Sequence, residues 1–89
     1  MTDKIRATDI EREIRHFLVE NFLFGRAEEL RDQVSLLGSV IDSTGAIELV
    51  TFLQDHFGIT VEDSEVVPEN FDTLANLVAY VEGKLRREG

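Results

Sequence analysis

The chain contains no cysteine and no tryptophan, and only one proline, Pro68, in 89 residues. Without cysteine there is no disulfide to staple the fold, no thiolate to ligate a metal and no thiol nucleophile. That composition is at home in a reducing compartment. No apolar run approaches the ~18 residues of a membrane span. The opening residues Met1-Thr2-Asp3-Lys4-Ile5-Arg6 are charged and lead into no apolar stretch, so no secretory leader is expected. These absences lead us to expect a cytoplasmic protein. No glycine-rich phosphate loop occurs either.

Positive charge is missing from half of the chain. Residues 41–83 hold nine acids, Asp42, Glu48, Asp55, Glu62, Asp63, Glu65, Glu69, Asp72 and Glu82, and no lysine or arginine. Residues 1–40 are nearly balanced, and the whole chain has a formal net charge of -9. Such a field repels nucleic acid and anionic membranes and attracts basic protein surfaces. It also promotes solubility, with or without a partner.

What remains is an ordinary globular composition, 43% hydrophobic and 30% charged, which is not that of a disordered tail. A chain of this length suits one domain with a compact core. It has little room for a deep catalytic cleft, so a carrier or binding module is the easier construction.

The first helix is expected to begin near Thr8 or Asp9, because Thr8-Asp9-Ile10-Glu11 has capping-box spacing. Ile10, Ile14, Phe17 and Leu18 continue a helical rhythm that fades near Phe22 to Gly25. Residues 23–42 have no sustained period, although a turn of helix fits over 27–30. Leu36, Leu37, Val40 and Ile41 make the end of this loop apolar around Gly38, so it should lie against the core. Irregular connections of this length are uncommon unless functional.

A second helix should start at Asp42 or Ser43, since either side chain can accept from the first-turn N–H groups. Ala46, Leu49, Val50, Leu53 and Phe57 fall on one face, and Gly58 is a natural stop. Residues 59–72 suggest one short helix or turn, with the acidic run 62–72 as a solvated face. The last helix should follow Asp72 or Thr73. Leu74, Leu77, Val78, Val81 and Leu85 form its stripe, and Lys84, Arg86 and Arg87 suit the dipole at its C-terminus. The expected fold is all-α: a small four-helix bundle of three main helices and one short one, with a long loop between helices 1 and 2.

Catalytic constellations are thin. His16 and His56 read as surface or boundary residues, with no cysteine or carboxylate cluster at ligand spacing. No metal site is expected. The run 62–72 lacks the plan of a calcium loop. Ser43 stands out because it follows an apolar loop, opens an amphipathic helix and has the small neighbours Thr44 and Gly45. Its hydroxyl should be accessible, but the residues alone favour reading it as only a helix cap, since serine is a preferred cap.

The stretch Leu36-Leu37-Gly38-Ser39-Val40-Ile41-Asp42-Ser43-Thr44-Gly45-Ala46-Ile47-Glu48-Leu49-Val50 resembles the prosthetic-group motif of acyl and peptidyl carrier proteins. The likeness continues through Phe52-Leu53-Gln54-Asp55-His56-Phe57-Gly58-Ile59 and Val67-Pro68-Glu69-Asn70-Phe71-Asp72-Thr73-Leu74. It covers about residues 8–86 of a single carrier domain spanning 1–89. One departure is Thr44, where many carriers have leucine.

The resemblance implies that Ser43, flanked by Asp42, carries 4′-phosphopantetheine delivered from coenzyme A by a phosphopantetheinyl transferase. The chain would not be an enzyme. It would hold an acyl, aryl or aminoacyl group as a thioester for a loading ligase and downstream acyl-transfer enzymes. Fatty acid, polyketide, nonribosomal peptide and D-alanyl pathways all fit. A monomer with no nucleic-acid or membrane partner is expected. At about 100° per residue, Thr44, Glu48, Phe52 and Asp55 share the outer face of helix 2, with Ile47 on its rim. These five are the expected partner contacts, Phe52 as an outward apolar side chain. The alternative is a non-catalytic acidic helical interaction module in which Ser43 is only a helix cap. A small hydrolase using Ser43 is the poorest reading, for want of a base beside it.

Overall fold

A computed structural model describes residues 7–23, 25, 35–38 and 40–88. Among these residues the helices are α1 (Ala7–Phe22), α2 (Ser43–Phe57), the short α3 (Pro68–Phe71) and α4 (Leu74–Glu88), with a 3-10 turn at Asp63–Glu65. This is the small helical bundle expected of the sequence. The suggested turn over 27–30 lies outside the described residues.

Helix α1 is already under way at Ala7. Thr8 and Glu11 therefore lie inside it and do not form its cap. Asp9 pairs with Arg12 instead, at 2.7 Å. Ile10, Ile14, Leu18 and Val19 turn inward, as the helical period requires. Helix α4 packs on α1 and α3 and more lightly on α2. It buries Leu74, Leu77, Tyr80 and Val81. The hydroxyl of Thr73 accepts from the Asn76 N–H at 3.0 Å, which satisfies a first-turn donor of α4.

Leu49, Leu53 and Phe57 are the buried face of α2, with Ala46 and Val50 half-buried beside the core. The helix stops at Gly58, whose φ of 70° and ψ of 27° lie in the left-handed region and whose N–H donates to the Gln54 carbonyl. A side chain there would be strained, so glycine ends the helix at least cost.

The segment 59–72 holds two short pieces where one was expected, the 3-10 turn and α3. Pro68 fits at the first turn of α3, where its missing N–H has no helical partner to lose. Two acids depart from the expected solvated face. Glu65 accepts from the Glu62 N–H at 3.0 Å, the Tyr80 hydroxyl at 2.8 Å and Lys84 Nζ at 3.1 Å. Asp72 accepts from the Ser35 hydroxyl at 2.7 Å. Lys84 is likewise not simply a charge at the end of α4. It is only 7% exposed, and a buried ammonium needs such a partner.

Candidate functional site

The loop before α2 lies against the core, as its apolar residues require. Leu36 and Ile41 are buried, and Leu37 and Val40 pack beside them. Its backbone closes on itself. Val40 and Ile41 N–H groups donate to the Leu36 carbonyl at 2.9 and 2.8 Å, and Gly38 N–H donates to the Ile41 carbonyl at 2.9 Å. A Leu37–Ile41 bridge is the sole β-type pairing among the described residues. Irregular backbone that approaches a core must satisfy its polar groups, and these three N–H groups find carbonyls within the turn.

Asp42 follows directly. It is extended, with φ of -91° and ψ of -172°, and its carboxylate accepts from the Gly45 N–H at 2.7 Å. Asp42 is therefore the cap of α2. Ser43 is the first helical residue and is not the cap, which corrects the reading that gave it only that role. Its side chain is exposed, and among the described residues no hydrogen bond engages its hydroxyl. An exposed hydroxyl thus stands at a helix N-terminus, where the dipole favours negative charge.

Gly45, one turn in, is buried where the α1 end meets α2. A Cβ built there would come 2.6 Å from the Phe22 ring and 3.2 Å from the Asp42 carboxylate. Only hydrogen fits without displacing one of them. The small residue that leaves Ser43 accessible also lets α1 close on this turn.

Thr44, Ile47, Glu48 and Asp55 are exposed. Ile47, at 68%, is the one large apolar side chain among the described residues to stand that far into solvent. Phe52 departs from the outward orientation expected for it. It is half-buried and stacks on Phe17 of α1 with ring centroids 4.2 Å apart, and on His56 at 5.0 Å. Phe17 meets Phe22 edge to face at 5.9 Å. Rings therefore run along the α1–α2 seam from His56 to the turn that carries Ser43. His56 Nε2 also lies 3.2 Å from Glu13 Oε1. The helical period places these residues on their own helices but says nothing of which ring meets which. A surface groove beside this stack is lined by Ile47, Glu48, Phe52 and Asp55 of α2 and by Phe17 and Asn21 of α1. Four of the five expected contact residues thus share one groove. Thr44 faces a neighbouring hollow with Asp42, Val40 and Glu48.

Sequence reading missed the Glu65 cluster. The Glu62 N–H, the Tyr80 hydroxyl and Lys84, in that order of effect, pull the Glu65 carboxyl down from 4.5 to about 2. The four-residue spacing of Tyr80 and Lys84 puts them on one face of α4 and was the available signal. Among the described residues no group of three or more His, Asp and Glu is arranged to hold a metal ion. No helix there is long and apolar enough to cross a membrane.

Residues 23–81 match the family described as the phosphopantetheine attachment site. The chain is 32% identical to a D-alanyl carrier protein of Streptococcus suis over 73 residues, covering 82% of this chain and 91% of the relative. It is 28% identical to the probable acyl carrier protein PigG of a Serratia species over 74 residues, covering 82% and 85%. A D-alanyl carrier protein of Streptococcus mutans is 30% identical over 70 residues, covering 79% and 87%.

Proposed function

Since this chain belongs to the phosphopantetheine-attachment family of carrier proteins, whose prosthetic group is 4′-phosphopantetheine, we propose that Ser43 bears that arm and that the protein carries an acyl or aminoacyl thioester between separate enzymes. The observation that carries the assignment is the division of labour between two adjacent residues. Asp42 caps the helix through Gly45, and Ser43 presents an exposed hydroxyl at its first position.

In the loading step the Ser43 Oγ–H bond breaks and an Oγ–P bond forms. The phosphopantetheine of coenzyme A is the group transferred. The nucleotide part of coenzyme A leaves with the electron pair of the cleaved P–O bond, and the serine proton passes to the transferase. The arm then supplies a thiol that this cysteine-free chain lacks. Its thioester is reactive enough to hand its group on, so the chain itself supplies a rigid mount and a docking surface.

Carriers of this type meet a phosphopantetheinyl transferase and loading or acyl-transfer enzymes. For this chain we assign docking to the α2 face, with Ile47 as apolar anchor, Thr44 beside it and Glu48 and Asp55 as charges. Phe52 lines the same groove. Acidic surfaces meeting basic patches speed encounter and set orientation more than they tighten binding, which suits a carrier that must leave each partner quickly. The relatives' names cover both aminoacyl and acyl cargo, which supports a cargo class of that breadth.

The test is the intact mass before and after incubation with coenzyme A and a broad-specificity transferase, beside Ser43→Ala. Gain of one phosphopantetheine by wild type alone is expected. Equal gain by both proteins would move the arm elsewhere. No gain, in protein not already carrying the arm, would leave an acidic interaction module as the better account.

A further inference from the structure

We propose that Asp72, far from Ser43 in sequence, is the positioning residue that holds the loop leading to the attachment serine. This rests on Ser43 being the loaded residue. Asp72 lies between α3 and α4, and three groups of the loop donate to it. The Ser35 hydroxyl reaches its Oδ1 at 2.7 Å and the Leu37 N–H reaches the same oxygen at 3.3 Å. The Leu36 N–H donates to the Asp72 backbone carbonyl. A single residue thus grips three consecutive loop residues.

The grip passes on toward Ser43 through short, ordered links. The Leu36 carbonyl receives the Val40 and Ile41 N–H groups, and the Ile41 carbonyl receives Gly38. Leu36 and Ile41 are buried at 0% and 1% exposure, so the turn is fixed on its core side as well. Asp42 follows Ile41 and caps α2. The contacts lead from Asp72, through residues 35–38 and 40–41, to the residue before Ser43.

Asp72 can act as an anchor because it is itself held. Its N–H donates to the Pro68 carbonyl at 3.0 Å. Phe71 before it is fully buried and lies 5.4 Å from the Tyr80 ring. Thr73 after it caps α4. The segment therefore ties the described loop residues 35–37 to the start of α4. The arrangement also requires an acceptor with two available lone-pair directions on one oxygen. Aspartate and asparagine have one, and alanine does not. The loop leads directly into Ser43, so a transferase that reaches the Ser43 hydroxyl meets this loop beside it. A preformed loop removes an ordering cost from that encounter.

The test uses the full chain in three forms: wild type, Asp72→Ala and Asp72→Asn. Amide hydrogen exchange is measured on protein without the arm, and transferase kinetics with coenzyme A give KM and kcat for the carrier. In Asp72→Ala, exchange at Leu37, Gly38, Val40 and Ile41 should quicken by about tenfold or more, the scale of losing a hydrogen bond to a charged acceptor. Exchange at Ile14 and Leu77 should rise much less. KM for the carrier should rise about tenfold with kcat within about twofold, as for loss of binding shared by ground and transition states. Asp72→Asn should restore both readouts to near wild type. Ser35→Ala removes one donor only, leaves the α3–α4 junction untouched and should give the same pattern at smaller amplitude. That variant decides the matter if Asp72→Ala does not fold. Unchanged exchange over 37–41, or a KM insensitive to the clamp variants, overturns the proposal. Wild-type protein that takes no arm overturns the proposed function instead, and the exchange readings still report on the clamp.

Discussion

The Asp42 carboxylate accepts a 2.7 Å hydrogen bond from the Gly45 N–H, and by doing so it leaves the neighbouring Ser43 hydroxyl without a structural task. Asp42→Ala should lower stability by about 1 kcal/mol, the ordinary value of a helix cap. Ser43→Ala should stay within about 0.5 kcal/mol of wild type, as for a surface substitution. Urea denaturation of both variants checks this. Equal losses would return the capping role to Ser43.

At Gly45 two effects oppose each other. Alanine gains about 1 kcal/mol in helix propensity over glycine. A Cβ 2.6 Å from the Phe22 ring must displace that ring or Asp42, and overpacking costs about 1–3 kcal/mol. Gly45→Ala should therefore lower the Tm. A raised Tm would mean that Phe22 moves aside freely.

Glu65 predicts a pH dependence. Its folded-state value, about 2, lies below the ordinary 4.5, so folding favours the ionised carboxylate. The contribution is fully present above about pH 4.5 and is lost as pH falls from there towards about 2. Glu65→Gln should be less stable at neutral pH, because Lys84 loses a charged partner. Its stability should also decline less steeply over that acidic window. Denaturant midpoints measured across it would show parallel curves for the two proteins if the Glu65 cluster were irrelevant.

Ile47 and Phe52 should separate docking from packing. Ile47 is exposed, so Ile47→Ala should stay within about 0.5 kcal/mol in stability and slow loading or acyl transfer by a partner enzyme. Phe52 stacks on Phe17, so Phe52→Ala should cost about 2 kcal/mol, less than the roughly 3–5 kcal/mol of a fully buried ring. Wild-type transfer rates for Ile47→Ala would remove it from the docking face.

Residues bound to a local period were legible in the sequence. The stripes of α1, α2 and α4, the stop at Gly58 and the apolar loop before Asp42 all follow from spacing and side-chain type, and the burial of Leu18, Leu49 and Leu77 bears them out. What spacing did not reveal was pairing across the chain. Asp72 meets Ser35, and Glu65 meets Tyr80 and Lys84. A carboxylate that meets water and one that meets a hydroxyl from another element look alike in sequence. The outward orientation expected of Phe52 gave way for the same reason. Helical phase fixes where Cβ points, and Phe17 on the adjacent helix decides where the ring goes.

The identity of the loaded residue can be read by tandem mass spectrometry of proteolysed, transferase-treated protein. The phosphopantetheine is expected on Ser43 alone, in the peptide that begins the α2 helix. An arm found on Thr44, Ser64 or any other hydroxyl would contradict it.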